Sequence, residues 1–407
     1  MKICVIGNRY NKFHNDKVMG GLEKVEMDHL KLLSMFGNDV HFITSKDSDK
    51  CSLPNVTTHF MSTPSRYSEE GEELGKSLAR QRKESLTKLI FEISPDVILT
   101  HDDNNSSLNN FLADEIDVPA VVFNHSALAI AGGISTFSTI QSMHKLSQAG
   151  HTTVFVSEGV RNEWFEHMKK SEKWLPNVPL DDVKKTINEI HYCPVMWEMR
   201  AHRLNGDYTD LYCMIGRPIK EKRLKMGASL VPKDKIVIYT TNPKNDDEIE
   251  NVEILKNLYQ DIRIGVDHKA LIEQLSSMKA LIVCSDEAAS LVAFEANSVG
   301  VPVIIYHKRE DHPIKEISNP GRNFGSFIHI SPIDVPKTDF FKKAEEQLSK
   351  YNDHRRREIS NCTWDFYNPR ASYNRLEMLI NKAVSKYESA KEADKATADI
   401  TDFFEET

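Results

Sequence analysis

Apolar positions in the first half of the chain fall into short β-rich runs separated by longer stretches with helical periodicity. This is the pattern of a parallel sheet covered by crossover helices. Residues 2–7, 39–44, 96–100, 120–123 and 152–156 predict strands. Leu22, Val25, Leu30, Leu33 and Phe36 recur near the helical repeat and predict a helix over 22–36, and 69–93 predicts a longer, highly charged one. Between 174 and 207 the periodicity is lost, and Pro176, Pro179, Pro194 and Gly206 mark a connector. A second set of strands follows at 211–215, 235–239, 262–265, 280–284, 301–305 and 327–330, with helices near 269–277, 291–299 and 340–350. The expected fold class is therefore α/β, with one doubly wound domain over 1–190 and a second over 191–365. Helices at 355–367 and 371–387 follow. Residues 366–390 are expected to cross back to the first domain, and 391–407, rich in Lys, Glu, Asp and Ala, to form a flexible tail.

Composition narrows the function classes. No apolar run approaches the roughly 18 residues that a bilayer span requires, and the five-residue run before Asn8-Arg9 is too short for a signal-peptide core. The six cysteines lie at 4, 51, 193, 213, 284 and 362 without a Cys-x-x-Cys pair, so neither a disulfide framework nor a zinc knuckle is indicated. A cytoplasmic monomer with no membrane association is expected. The formal charge of −8, from 52 basic and 60 acidic residues, speaks against tracking nucleic acid by overall charge and leaves room only for a local basic groove.

Four places could carry chemistry. Gly20-Gly21 stands between the first strand and first helix, where glycines serve either as a plain turn or as a close approach to an anion at helix-start amides. No Gly-x-Gly-x-x-Gly fingerprint surrounds it. Gly216-Arg217 and Lys222 follow the first strand of the second domain, at the edge where open α/β sheets bind ligands, so the two cations can converge on a diphosphate or simply be solvated. From Ser285 to Val303 a strand end leads into a loop carrying Glu287, then a helix carrying Glu295 between apolar Phe294 and Ala296, then Gly300-Val301-Pro302. A carboxylate so placed needs a partner, whether sugar hydroxyls or a structural ion pair. His125 follows the strand at 120–123 and reads as a site residue or a structural histidine. Asp102-Asp103 mimics a metal-binding pair, but the compensating charge of Arg217 and Lys222 leaves no metal expected.

In this order the motifs resemble those of the retaining GT-B glycosyltransferases, the large family that includes sucrose synthases and bacterial mannosyltransferases. The likeness runs from Lys2 to about Tyr387. Met19-Gly20-Gly21-Leu22-Glu23 is similar to the family's Gly-Gly-x-Glu loop, Gly216-Arg217 with Lys222 to its Gly-Arg-x4-Lys clamp, and Glu287 with Glu295 to its Glu-x7-Glu pair. The resemblance implies two Rossmann-like domains facing across a cleft and a nucleoside diphosphate sugar as donor, a UDP-sugar first, with no cofactor. It also implies front-face transfer with retention. In that scheme Arg217 and Lys222 neutralise the departing diphosphate, helped by helix-start amides near Gly21 and Leu291, and Gly20, Gly216, Ser290 and Val292 are further substrate-binding positions. Glu295 holds the ribose, Glu287 the donor sugar, and His125 the sugar or oxocarbenium side.

Two loops depart from the family. Glu287-Ala288-Ala289-Ser290 replaces Glu-x-Phe-Gly, and 310–316 replaces a Gly-Gly-x-x-Glu loop, which makes an unusual donor such as a pentose nucleotide credible. A narrower likeness links 121–128, 156–164 and 214–217 to phage DNA α-glucosyltransferases, implying hydroxymethylated cytosine in double-stranded DNA as acceptor. Arg80, Arg82 and Lys83, Lys169-Lys170, and Arg200 with Arg203 are then the candidate DNA contacts, with Trp164, Trp174 and Trp197 available for a flipped base. A cell-envelope glycan or small-molecule acceptor, or a nucleotide-sugar epimerase of the same fold, are the competing readings.

Overall fold

The structure, a computed structural model, describes residues 1–8, 12–15, 21–66, 68–75, 77–101, 106–125, 135–171, 179–198, 208–285, 290–310, 312, 314 and 326–405. The chain divides into two compact units, Met1–Cys193 with Ser372–Thr407, and Pro194–Ala371. None of the six cysteines is in a disulfide. Among the described residues no helix is long and apolar enough to cross a membrane.

In the first unit β1 (Lys2–Ile6), β2 (Asp39–Thr44), β3 (Val56–Phe60), β4 (Val97–Thr100), β5 (Ala120–Asn124), β6 (Thr152–Phe155) and β7 (Glu189–Ile190) form one parallel sheet, in the order 3-2-1-4-5-6-7. Its helices are α1 (Gly21–Met35), α2 (Glu69–Leu74), α3 (Ser77–Ile93), α4 (Ser106–Glu115), α5 (Ser135–Gln148), α6 (Glu158–Ser171) and α7 (Leu180–Thr186). Strands β4, β5 and β6 are buried at every position, which is why their sequences are nearly continuous apolar runs. The charged stretch expected as one helix is two, because Gly75 at φ 51° ends α2 in a conformation that an L side chain resists.

In the second unit β8 (Tyr212–Ile215), β9 (Ile236–Thr240), β10 (Ile262–Ile264), β11 (Ala280–Val283), β12 (Val303–Tyr306) and β13 (Phe327–Ile330) form a parallel sheet, in the order 10-9-8-11-12-13. Helices α8 (Leu224–Ala228), α9 (Asp246–Leu258), α10 (His268–Leu275), α11 (Leu291–Ser298), α12 (Lys337–Leu348) and α13 (Asp353–Tyr367) cover it. The two-residue repeat of a strand sends Tyr212, Ile236, Ile238, Ile282 and Ile304 into one apolar layer and Cys213, Val237, Leu281, Val303 and Ile305 into the other.

The last helix, α14 (Pro369–Glu405), belongs from Ser372 onward to the first unit. Tyr373 stacks on Phe36 at 4.2 Å. Tyr387 stacks on His151 at 5.2 Å and donates its hydroxyl to Asp117 at 2.8 Å. Gly150, at φ 82°, lets the turn pass under this helix: a Cβ there would lie 2.9 Å from Ala390 Cβ. The helix continues to Glu405 where a flexible tail from 391 was expected. Lys, Glu and Ala are strong helix formers, so the segment propagates a helix already anchored by Tyr387.

His151 ties these pieces together and sets a pH dependence. Its Nε2–H donates to the Leu112 carbonyl at 3.0 Å while Nδ1 accepts the Ala120 N–H at 3.2 Å, and burial pushes its pKa down to about 4. The unfolded chain, with a histidine pKa near ~6.5, takes up the proton first as pH falls. The contribution of His151 is therefore intact above about pH 6.5 and lost as pH falls toward 4, on the order of 2–3 kcal/mol. Urea unfolding at pH 7.5 and 4.5 should show that loss, and His151→Gln should start less stable and decline less steeply.

Candidate functional site

A parallel sheet exposes chemistry at the carboxyl ends of its strands, and most where the strand order reverses, because neighbouring crossovers there leave to opposite faces. In the second unit the reversal lies between β8 and β11. The loop after β8 carries Gly216, Arg217 and Lys222; the loop after β11 leads to Ser290 and α11. Arg223 joins the two, donating from its guanidinium to the Cys284 carbonyl at 3.3 Å from a left-handed backbone, φ 50°. Sequence reasoning passed over Arg223, whose link spans 61 residues.

The predicted residues of this unit are held in distinct ways. Gly216 pairs with β9 through its N–H to the Tyr239 carbonyl, and a Cβ on it would make ordinary contact with the Lys222 stem at 3.4 Å. Arg217 is half-exposed and donates to Glu248 on α9 at 2.8 Å. The Glu248 carboxylate is buried, receives Lys244 N–H at 2.9 Å, and is held below its usual pKa chiefly by Arg217. Arg217 is thus anchored before any ligand arrives. A cavity of about 1190 Å³ opens beside it, lined by Arg217, Lys220, Arg223, Asn245, Glu248 and Lys337.

After β11, Ser290 is buried and caps α11, accepting Ala293 N–H at 3.3 Å, so Leu291 and Val292 occupy the first turn. Glu295 is not locked in a buried ion pair. It is largely buried yet accepts from Nε2 of the more exposed His268 at 2.6 Å, across to the start of α10. Gly300, at φ 78°, terminates the helix before β12, as its position before Pro302 suggested. The divergent 310–316 loop supplies a support that the sequence did not reveal: buried His312 donates from Nε2 to the Ser285 carbonyl at 2.9 Å, and its Nδ1 accepts Ile314 N–H. Glu287 lies outside the described residues.

In the first unit the order reverses between β1 and β4. Gly7 follows β1, and Asn8 N–H donates to buried Glu26 of α1 at 2.8 Å. Gly21 opens α1; Gly20 lies outside the described residues. His101 follows β4 and His125 follows β5, and they share a hydrogen bond of 3.0 Å between His101 Nδ1 and His125 Nε2. Desolvation keeps His125 neutral, its pKa pushed down to about 3. Asp102 and Asp103 lie outside the described residues.

The candidate DNA contacts need correction. Arg82 is buried, donating to the Gly7 carbonyl at 3.2 Å; it belongs to the inner face of α3 with Leu86, Ile90 and Ile93, a spacing that would have revealed it. Arg80 pairs with Glu84 at 3.0 Å, and Lys83 with Glu115. Trp164 is fully buried in the core and cannot stack on a base. Arg200, Arg203 and Trp174 lie outside the described residues.

No protein-family model matches the chain. Among curated proteins, the chaperone protein ClpB of Malacoplasma penetrans is 24% identical over 195 residues, 46% of this chain and 24% of that protein, so the match covers about a quarter of that relative. Solved structures align over almost the whole chain. HepE of Anabaena, determined with UDP and glucose, has a TM-score of 0.63 at 10% identity and covers 94% of this chain and 99% of its own. A glycosyltransferase of Rickettsia africae has a TM-score of 0.61 at 14% identity, covering 96% and 98%. The lipopolysaccharide outer core galactosyltransferase WaaB has 0.59 at 15%, covering 94% and 99%. The chain has the GT-B fold, two parallel-sheet Rossmann-like domains.

The Arg217 pair makes a stability prediction. Arg217→Ala leaves the Glu248 carboxylate buried without its cation and should cost about 2 kcal/mol at neutral pH. Replacing both groups, Arg217→Met with Glu248→Met, should recover most of that in urea unfolding.

Proposed function

We propose that this chain is a retaining glycosyltransferase that moves a sugar from a nucleoside diphosphate, a UDP-sugar first, to a hydroxyl acceptor. The observation that carries this reading is the adjacency of β8 and β11 at the strand-order reversal of the second unit, with Arg217 and Lys222 following β8, Arg223 fastened to the Cys284 carbonyl, and the Ser290-capped helix that bears Glu295 following β11. That HepE, of the same fold, was solved with UDP and glucose supports a nucleotide-sugar donor.

Breaking the glycosyl phosphate bond places extra negative charge on the departing diphosphate. Fixed cations aimed at that charge stabilise the transition state more than the ground state. Lys222 and Arg217 take this role, and Glu248 limits the reorganisation of Arg217. Glu295 accepts hydrogen bonds from the ribose hydroxyls, exchanging its exposed His268 partner for them. His125, neutral at physiological pH, contributes a hydrogen bond beside the sugar without placing a full charge there. The family resemblance assigns Glu287 to the donor sugar hydroxyls, and the departing phosphate accepts the acceptor's proton.

Two acceptors follow from different observations. The likeness of 121–128 and 156–164 to phage DNA α-glucosyltransferases supports hydroxymethylated cytosine in DNA. The burial of Arg82 and the pairing of Arg80 and Lys83 with acids favour instead a glycan or other acceptor of low charge.

The test is UDP release from a panel of UDP-sugars with hydroxymethylcytosine DNA, glycans or buffer alone, with products identified by mass spectrometry. Lys222→Ala should lower kcat about 10²- to 10³-fold while the protein remains folded. Full turnover in Lys222→Ala would overturn the assignment. Conversion of the donor sugar to an epimer without any acceptor would replace the transferase reading altogether.

A further inference from the structure

Three buried side chains outside the proposed donor site converge in the first unit. His29 lies on the inner face of α1, and His191 and Cys193 follow β7. His191 N–H donates to the Phe155 carbonyl at 2.9 Å, continuing the β7 pairing with β6. In extended chain, residues two apart point the same way, so His191-Tyr192-Cys193 turns an imidazole and a thiol to one side. Donor atoms of His29, His191 and Cys193 lie within 4.8 Å of one another.

The His29 ring shows what this arrangement lacks. Its Nδ1 is hydrogen-bonded to His101 Nε2 at 3.2 Å, whereas its Nε2, fully buried, has no hydrogen-bond partner among the described residues. Leaving such a nitrogen unsatisfied costs on the order of 1–3 kcal/mol. Two imidazoles and a thiol, with no carboxylate among them, are a donor set suited to a borderline-soft ion and poorly suited to calcium or magnesium.

We propose that His29, His191 and Cys193 bind a zinc ion. Binding replaces the Cys193 thiol S–H bond with a metal–thiolate bond and releases that proton to solvent. Three protein ligands leave a tetrahedral ion one position for a water molecule.

The proposal has a consequence for the neighbouring histidines. Ligation through His29 Nε2 requires its proton on Nδ1, where it donates to His101 Nε2. His101 then carries its proton on Nδ1 and donates to His125 Nε2 at 3.0 Å, which leaves the His125 proton on Nδ1. His101 is in this scheme a positioning residue, fixing the tautomer of the histidine assigned above to the sugar. That last role rests on the glycosyl-transfer reading; ion binding does not.

The test uses the full-length protein, stripped with a chelator under reducing conditions and titrated with cobalt chloride, then zinc chloride. Stoichiometric binding should give a thiolate-to-cobalt charge-transfer band in the near ultraviolet, bleached by zinc, and zinc should raise Tm. Cys193→Ser should remove the charge-transfer band, and His29→Gln should weaken zinc binding at least about tenfold. If a variant fails to fold, the wild-type charge-transfer band and zinc retention after gel filtration decide the matter. Absence of both, or an undiminished band in folded Cys193→Ser, overturns the proposal. Nitrogen-15 NMR of the zinc-loaded protein should show His125 protonated on Nδ1; protonation on Nε2 would overturn the relay while leaving the ion site standing.

Discussion

A parallel sheet buried on both faces has no surface of its own to offer, and this constraint governs where chemistry can occur in the molecule. Every residue of β4, β5 and β9 is buried, so the faces of these strands serve packing alone. What remains are the carboxyl ends, and only at a reversal of strand order do two adjacent loops lean apart enough to admit a ligand. Both units have such a reversal. In the second, the reversal collects cations and a capped helix start; in the first, it collects glycine, a buried glutamate and the start of a histidine chain.

The cations are held differently, and the difference matters for charge stabilisation. Arg217 is tied to a buried carboxylate, so part of its charge is already compensated and its orientation already set. Arg223 spends one donor on a carbonyl to fasten two loops. Lys222 has its stem laid against Gly216, at the end of β8. A diphosphate reaching this edge would meet donors that need little rearrangement, the condition under which fixed charges lower a barrier most.

Much of this was legible in the sequence for a physical reason. Doubly buried strands are written as apolar runs, so β1, β4, β8 and β11 could be read directly. Strand β3, Val-Thr-Thr-His-Phe, has one buried residue at its start and otherwise partly exposed or exposed positions, and β7 is two residues long; neither leaves an apolar run to find. Gly216-Arg217 was legible because it directly follows a strand. The links from Arg223 to Cys284 and from His312 to Ser285 were not, since they join residues 61 and 27 positions apart and depend on which strands become neighbours. Arg82 was misread because charge was weighed before helical spacing.

The histidines show the same limit most sharply. His29, His101 and His125 are separated by 72 and 24 positions, and each taken alone resembles any structural histidine. Their chain exists because β1, β4 and β5 are adjacent in space, which places the helix after β1 beside the ends of the next two strands. Burial then removes the option of protonation: His125 stays neutral well below physiological pH, and so does His191. A neutral chain carries one proton per ring, so fixing the proton on one ring fixes it on the others. The fold thereby couples a deeply buried nitrogen on α1 to the histidine at the end of β5 without any change in charge, a coupling that acts through hydrogen-bond direction alone.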